Sequence, residues 1–546
     1  MRISLRTGVG VNATLALLCC LAVTACTRVD TTDTSSSPVG ARHSWTVPDT
    51  LRVGMPFVPR TLNPLLSTTT GENMINTLFA DKLVTVDAHG NFVPDLAKEV
   101  PTEDNGDISA DGLTIRYRLR ENVKWHDGVP FTSKDVKFSF DALMNPNNDI
   151  ISRHGYDVVQ SVETPDDYTI VFHLKRKFAP FIATVFSESD SPYMIIPEHI
   201  LGKEKSINNV AFNSAPIGTG PFKFVRWLRG DHLEFTRNDD YFLGKPKIKN
   251  VIVKLIPDEN TLITQTRTHE IDWFYEATVN AYKSLRDLSN VRLVLTPYNG
   301  YYGLMFNNKH GATSDLRVRK AILYAIDKAQ LARNLTFGAA DVATQDLPSF
   351  LWAYNKALAP TPYNVQAAKS YLADAGYGPN HRLSLELYYE QSSVLGKLAA
   401  VQIQETLHDL GIDVRIHSQL TSVIYAGYGA NGTLARGKYD LALYPWIAGI
   451  DPDDSAQFTC SNLPPAGYNQ SQYCSKAMDA AEETALNTYD QTARAIAYAR
   501  TQQQLAKDVP MDFLFWQRQV QAVNPDLHGF DPNPVTEDWD IYRWSI

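Results

Sequence analysis

Clusters of basic residues are missing from this sequence: its 51 Lys and Arg are scattered among 60 Asp and Glu over 546 residues, and the formal charge of −9 arises without an acidic block. That removes the electrostatic footprint of a nucleic-acid-binding surface. Cysteine is scarce as well, five in all, too few for a disulfide-dense scaffold. Beyond the first 26 residues no apolar run approaches the roughly 20 residues that span a bilayer. His269-Glu270 has no second histidine at zincin spacing, and no G-x-S-x-G elbow occurs. Two common hydrolytic arrangements are therefore absent, although counting carboxylates does not by itself exclude a glycosidase.

What is present begins with "MRISLRTGVGVNATLALLCCLAVTAC": Arg2 and Arg6, a short apolar run, then small residues before Cys26. This is the layout of a secretory signal. Val23-Thr-Ala-Cys26 resembles the lipobox of bacterial lipoproteins, which implies that Cys26 is lipidated and becomes the new N-terminus. Several acyl chains on one residue anchor firmly, since each buried CH₂ contributes about 0.8 kcal/mol. The stretch "TRVDTTDTSSSPVGA" that follows is nearly devoid of large apolar groups, so it reads as a tether. In a chain exported this way, Cys460 and Cys474 are the two remaining thiols and are expected to pair; no histidine at ligand spacing favours a metal site instead. About 500 further residues exceed what one hydrophobic core serves, so two or more domains are expected.

Along that length strands and helices alternate. Leu113-Thr-Ile-Arg-Tyr-Arg-Leu-Arg120 alternates apolar and polar residues as a half-buried strand does, Asp127-Gly128 supplies a turn, and Thr132-Ser-Lys-Asp135 makes a capping box ahead of Val136, Phe140, Leu143 and Met144. The intervening "VKWHDG" sets His126 beside Asp127 and Trp125, a grouping with the look of catalysis. On an extended segment, however, neighbouring side chains leave in opposite directions, so His126 and Asp127 are not expected to pair. A strand spans 250 to 256, and Pro257-Asp258 caps a helix to about His269. Asp315 and Asn364 cap amphipathic helices, Gly376 ends the second, and Ala400, Ile403, Leu407 and Leu410 form a stripe closed by Gly411 before a strand from Ile412 to Ile416. The pattern is α/β, with sheets flanked by helices.

Four blocks carry a family resemblance: "DGLTIRYRLRENVKWHDGVPFTSKDVKFSF", "APIGTGPFKFVRW" continuing through "NDDYFLGKPKIKNVIVKLIPDENT" to Glu270-Ile-Asp272, "LMFNNKHGATSDLRVRKAILYAID", and the "AAKSYLADAGY" helix. In that order they resemble the family 5 extracellular solute-binding proteins, the peptide- and nickel-binding components that feed ABC importers. The resemblance implies a bilobed periplasmic-binding-protein type II fold with an extra subdomain in the first lobe, no catalysis, no cofactor and no metal. The expected organisation is a signal peptide over 1–25, a lipidated tether over 26–47, lobe I over 48–302 with an insertion at about 86–214, lobe II over 303–517, and a return to lobe I over 518–546. Chain crossings are placed near 298–302 and 516–523. One departure is local: where relatives carry glycine before Glu-Ile-Asp, this chain has His269, a residue that tolerates left-handed backbone better than most.

For the ligand, the resemblance implies a cleft in which a tryptophan is followed three residues later by an aspartate that holds a peptide's α-amino group. Counting from Trp446 in "YPWIAGIDPDDSAQFTC" gives Gly449, and Asp451, Asp453 and Asp454 lie downstream, with Asp451 the nearest substitute. Dipeptide binders also use an arginine after the strand 383–388; here Glu390-Gln-Ser-Ser-Val394 has none. Burying both charges of a dipeptide unpaired costs several kcal/mol each, so longer or end-blocked peptides, or an oligosaccharide-like solute, are expected. Tyr301, Tyr302, Tyr388 and Trp446 offer flat faces with polar edges, and Thr69 and Thr70 complete the candidate set. Permease and ATPase subunits are the implied protein partners, the chain itself being monomeric and held at the cell envelope by lipid only. A binding lipoprotein that signals or chaperones is the alternative.

Overall fold

Two strands, Arg292–Phe306 and Met511–Val523, are far longer than the rest and run antiparallel through the middle of the molecule. In this computed structural model, which describes residues 42–546 apart from 68 and 190, they join the halves of one eleven-stranded sheet. Their pairing runs from Arg292↔Val523 to Pro297↔Arg518, then resumes at Tyr301↔Trp516. Tyr298, Asn299 and Gly300 therefore face Gln517 alone, an irregularity of the kind that bends and twists a strand pair.

On one side the sheet continues through Trp273–Ala277, Thr50–Met55, Asn250–Leu255, His232–Arg237 and Phe222–Leu228; on the other through Leu441–Ile447, Leu383–Glu390 and Ile412–Gln419. Thr50–Met55 is parallel to both its neighbours, as is Leu383–Glu390. Each half buries its own apolar set, around Leu51, Val53 and Trp273 in the first lobe and around Leu304, Ile322 and Ile403 in the second. A third core, with Tyr117, Trp125, Phe131 and Phe172, belongs to a subdomain built on the three-stranded sheet of Thr114–Arg118, Thr169–Leu174 and Val159–Asp166. The architecture is bilobed α/β with an extra subdomain.

Caps place the helices where the sequence signals them. Thr132 and Asp135 form the capping box of Ser133–Met144. Asp258 Oδ1 accepts from the Thr261 amide at 2.8 Å to start Glu259–Arg267, Asp315 opens Leu316–Ala325, and Asn364 opens Val365–Asp374. Gly411, at φ 100°, closes Val394–Leu410.

The signal segment, Cys26 and most of the tether lie outside the described residues. The tether's expected end at residue 47 needs correction. Trp45 stacks on His269 with ring centroids 4.1 Å apart, and Thr46, 5 % exposed, donates to Asp526 at 2.6 Å. Both are part of the fold because their partners come from the first lobe's loops and C-terminal segment.

The "VKWHDG" stretch is scaffold. Trp125 is buried in the subdomain core, edge-on to Phe131. His126 Nε2 lies 3.0 Å from the Gly220 carbonyl and its Nδ1 accepts from the Gly218 amide, whereas Asp127 turns away to His199 at 2.9 Å. Burial pushes His126 down to about 4, so it is neutral and structural at physiological pH.

Candidate ligand-binding cleft

The irregular segment of the long strands is flanked by two cavities, of about 540 and 230 Å³. Tyr298 and Gln519 line both, so the two are neighbouring parts of one cleft at the junction of the lobes. The larger draws Glu276, Thr278 and Val279 from the first lobe and Phe337, Ser393, Leu398 and Pro445 from the second. The smaller draws Thr69, Thr70, Ser189, Ser191 and Glu537 from the first lobe and Ile447 and Ala448 from the second. Apolar surface interrupted by hydroxyls and a few carboxyls suits a ligand with both peptide groups and side chains.

The sequence-derived candidates divide among different environments. Thr69 caps the helix Thr70–Thr77, accepting from the Glu72 amide, and with Thr70 faces the smaller cavity. Tyr302, stacked on Phe515 at 5.4 Å, faces the larger one. Tyr301 points to the opposite face of the strand, as period-two alternation requires. Its hydroxyl donates to Gln457 Oε1 at 2.7 Å, and it shares a pinched space of about 20 Å³ with Trp446, Asp346 and Asp451. Tyr388 stacks on His417 with centroids 4.7 Å apart and lines neither cleft cavity. The tyrosines thus do not form one continuous aromatic wall.

Gly449 is held through its carbonyl, which accepts from Asn299 Nδ2. Asp451 is already compensated: Arg494 donates to its two oxygens at 2.9 and 2.7 Å, both side chains being nearly shut off from solvent. A bidentate pair of this kind holds Asp451 on Arg494 and so takes it out of the position of a substitute for the missing carboxylate at Gly449. Asp346, Asp454 and Glu482 form a buried row of acids behind the small space. Burial pushes all three up, Glu482 to about 8, and neighbouring acids in the row hydrogen-bond one another. Ser393 caps the helix Val394–Leu410 in the region that lacks an arginine, and Ser392, Ser393 and Val394 line the larger cavity.

Three contributors escaped the sequence reading. Gln519 and Glu537 come from the end of the chain, and Glu276 sits at φ 49° where the strand Trp273–Ala277 slips register. Nothing in "WFYEAT" or "VTEDWD" marks either glutamate; the expected crossings at 298–302 and 516–523 point only to their neighbours Tyr298 and Gln519. Cys460 and Cys474 are joined as expected.

Comparison with known proteins gives a consistent result. Residues 91–469 match the family described as bacterial extracellular solute-binding proteins, family 5 Middle. The oligopeptide-binding protein AppA of Bacillus subtilis is 26% identical over 511 residues, covering 91% of each chain. Its structure in complex with a nonapeptide superposes with a TM-score of 0.72 over 91% of this chain and 98% of that one. NikZ from Campylobacter jejuni, solved with Ni(L-His), has a TM-score of 0.74 at 28% identity over 92% of this chain and all of that one. Di/tripeptide-binding protein 2 of Pseudomonas aeruginosa is 28% identical over 476 residues, 82% of this chain and 86% of that relative. Over the greater part of its length, and with a bilobed fold to match, this chain belongs to the family 5 bacterial extracellular solute-binding proteins.

Proposed function

We propose that this protein captures a peptide-like ligand in the cleft between its lobes and delivers it to an ABC importer, from a lipid anchor at Cys26. The observation that carries the reading is the paired cavity at the lobe junction, large enough for several residues of peptide and lined by side chains of both lobes. Peptide complexes of AppA, and of DppA from Helicobacter pylori with the peptide STSA, support the ligand class. The ordinary dipeptide is disfavoured because Gly449 offers no carboxylate, Asp451 is neutralised by Arg494, and Arg518, the one cationic side chain among the described residues that line the two cavities, is committed to Asp341 at 2.8 and 2.7 Å. Among the described residues no helix is long and apolar enough to cross a membrane, which suits a lipid anchor.

A thermal-shift screen of dipeptides, end-blocked and longer peptides, sugars and nickel chelates tests this, because ligand at 100 times its Kd stabilises the native state by about 2.7 kcal/mol. Longer or blocked peptides are expected to give the largest shift. A largest shift from ordinary dipeptides, or from a sugar, contradicts the ligand class. Fractionation reads the anchor: Cys26→Ser protein is expected in the soluble fraction, and its retention in the membrane pellet contradicts lipidation.

A further inference from the structure

The cleft is unevenly charged. Glu259, Glu276 and Glu537 line its cavities, and no ion pair reaches any of the three among the described residues, whereas Arg518 is spent on Asp341. Gln521 links the Glu276 backbone to the Glu537 carboxyl. Gln521 accepts from the Glu276 amide at 3.4 Å and donates to Glu537 Oε1 at 3.3 Å, its own carbonyl fixed by Trp273 Nε1 at 2.8 Å. Glu537 is 1 % exposed. Tyr298 stands close enough to feel both carboxyls; burial raises the proton affinity of both acids, the charge of Glu276 adds to that rise at Glu537, and the Glu276 carboxyl accepts hydrogen bonds from the Thr70 and Tyr275 hydroxyls. Between them, Gln519 lines both cavities and turns a carbonyl oxygen that is shut off from solvent and has no donor. An unmet acceptor beside two acids that no cation compensates among the described residues calls for a group that brings several N–H donors and a positive charge.

We propose that Glu276, Glu537 and the Gln519 carbonyl form a cation subsite on the first lobe, which selects peptides bearing an ammonium or guanidinium group. This rests on the peptide reading and adds the class of peptide. The position differs from the vacant one at Gly449, which is on the second lobe: the charge is taken from the opposite wall.

Calorimetric binding of three blocked tripeptides tests it: acetyl-Ala-Lys-Ala-amide, acetyl-Ala-Ala-Ala-amide and acetyl-Ala-Glu-Ala-amide, with 1,5-diaminopentane as an amine without peptide groups. The lysine peptide is expected to bind at least about tenfold tighter than the alanine peptide, as a charged hydrogen bond provides, and the glutamate peptide weakest. Glu276→Gln and Glu537→Gln should each erase most of the lysine preference, read as the ratio of lysine-peptide to alanine-peptide affinity within the same variant. Gln519→Leu keeps both acids and should reduce the preference less, so the test stands if a glutamate variant misfolds. A glutamate peptide that binds as well as the lysine peptide overturns the proposal, as does a preference unmoved by all three substitutions. If no peptide binds but the diamine does, dependent on Glu537, the peptide reading falls and the subsite stands. If neither lysine peptide nor diamine binds, the subsite falls.

Discussion

Glu482 shows how single buried groups set the behaviour of this protein. Its carboxyl, 1 % exposed, is pushed up to about 8 by burial, and Asp346 and Asp454 beside it are raised for the same reason. A carboxyl whose folded-state affinity for the proton exceeds its unfolded one contributes stability that is complete below the unfolded pKa and lost as pH rises through the folded one. Stability is therefore expected to fall between about pH 4.5 and 8. Glu482→Gln should flatten part of that fall and make the protein more stable at pH 8 by on the order of 2 kcal/mol, measured by urea unfolding at pH 5 and pH 8. A variant less stable than wild type at pH 8 contradicts the neutral row. At the same scale His269 was legible: a residue expected at positive φ is found at 58°, and its ring stacks on Trp45. The stacking was not legible, because Trp45 reads as part of a polar tether until its distant partner is in view.

Elements that announce themselves by local chemistry were read correctly from sequence. Asp315, Asn364 and the Thr132–Asp135 box each supply a side-chain acceptor that the first helical turn requires, so their signal is contained in a few residues. The junction of the long strands is set by long-range approach instead. A Cβ at Gly300 would lie 2.5 Å from the Trp446 carbonyl oxygen, across the pairing of Arg292–Phe306 with Leu441–Ile447. Gly300→Ala must push those strands apart and is expected to cost about 1–3 kcal/mol, the usual price of overpacking, in the same unfolding assay. A neutral effect contradicts the close approach. The cleft lining was read only in part for the same reason. Thr69, Thr70 and Tyr302 face it, but Tyr301 and Tyr388 turn elsewhere, since which face a strand residue takes depends on register. Asp451, two residues after the vacant Gly449, is taken by an arginine from the helix Gln491–Asp508.

At the scale of the molecule, two lobes with separate cores meet through two strands whose pairing is interrupted at one level, Tyr298–Gly300 against Gln517. The cleft lies at that same level. We propose that the lobes rotate about this level; a ligand that touches both walls would then shift the balance toward closure. Glu276 and Glu537 illustrate why this arrangement was not visible in the sequence: each is unremarkable in its own segment, and they are linked only through Gln521 of the long strand Met511–Val523. Small-angle X-ray scattering, with and without a saturating concentration of the tightest-binding peptide from the screen, tests the central claim most directly. Closure of the lobes on peptide predicts a smaller radius of gyration and a shorter maximum dimension in the complex; unchanged dimensions at saturation would contradict capture by lobe closure.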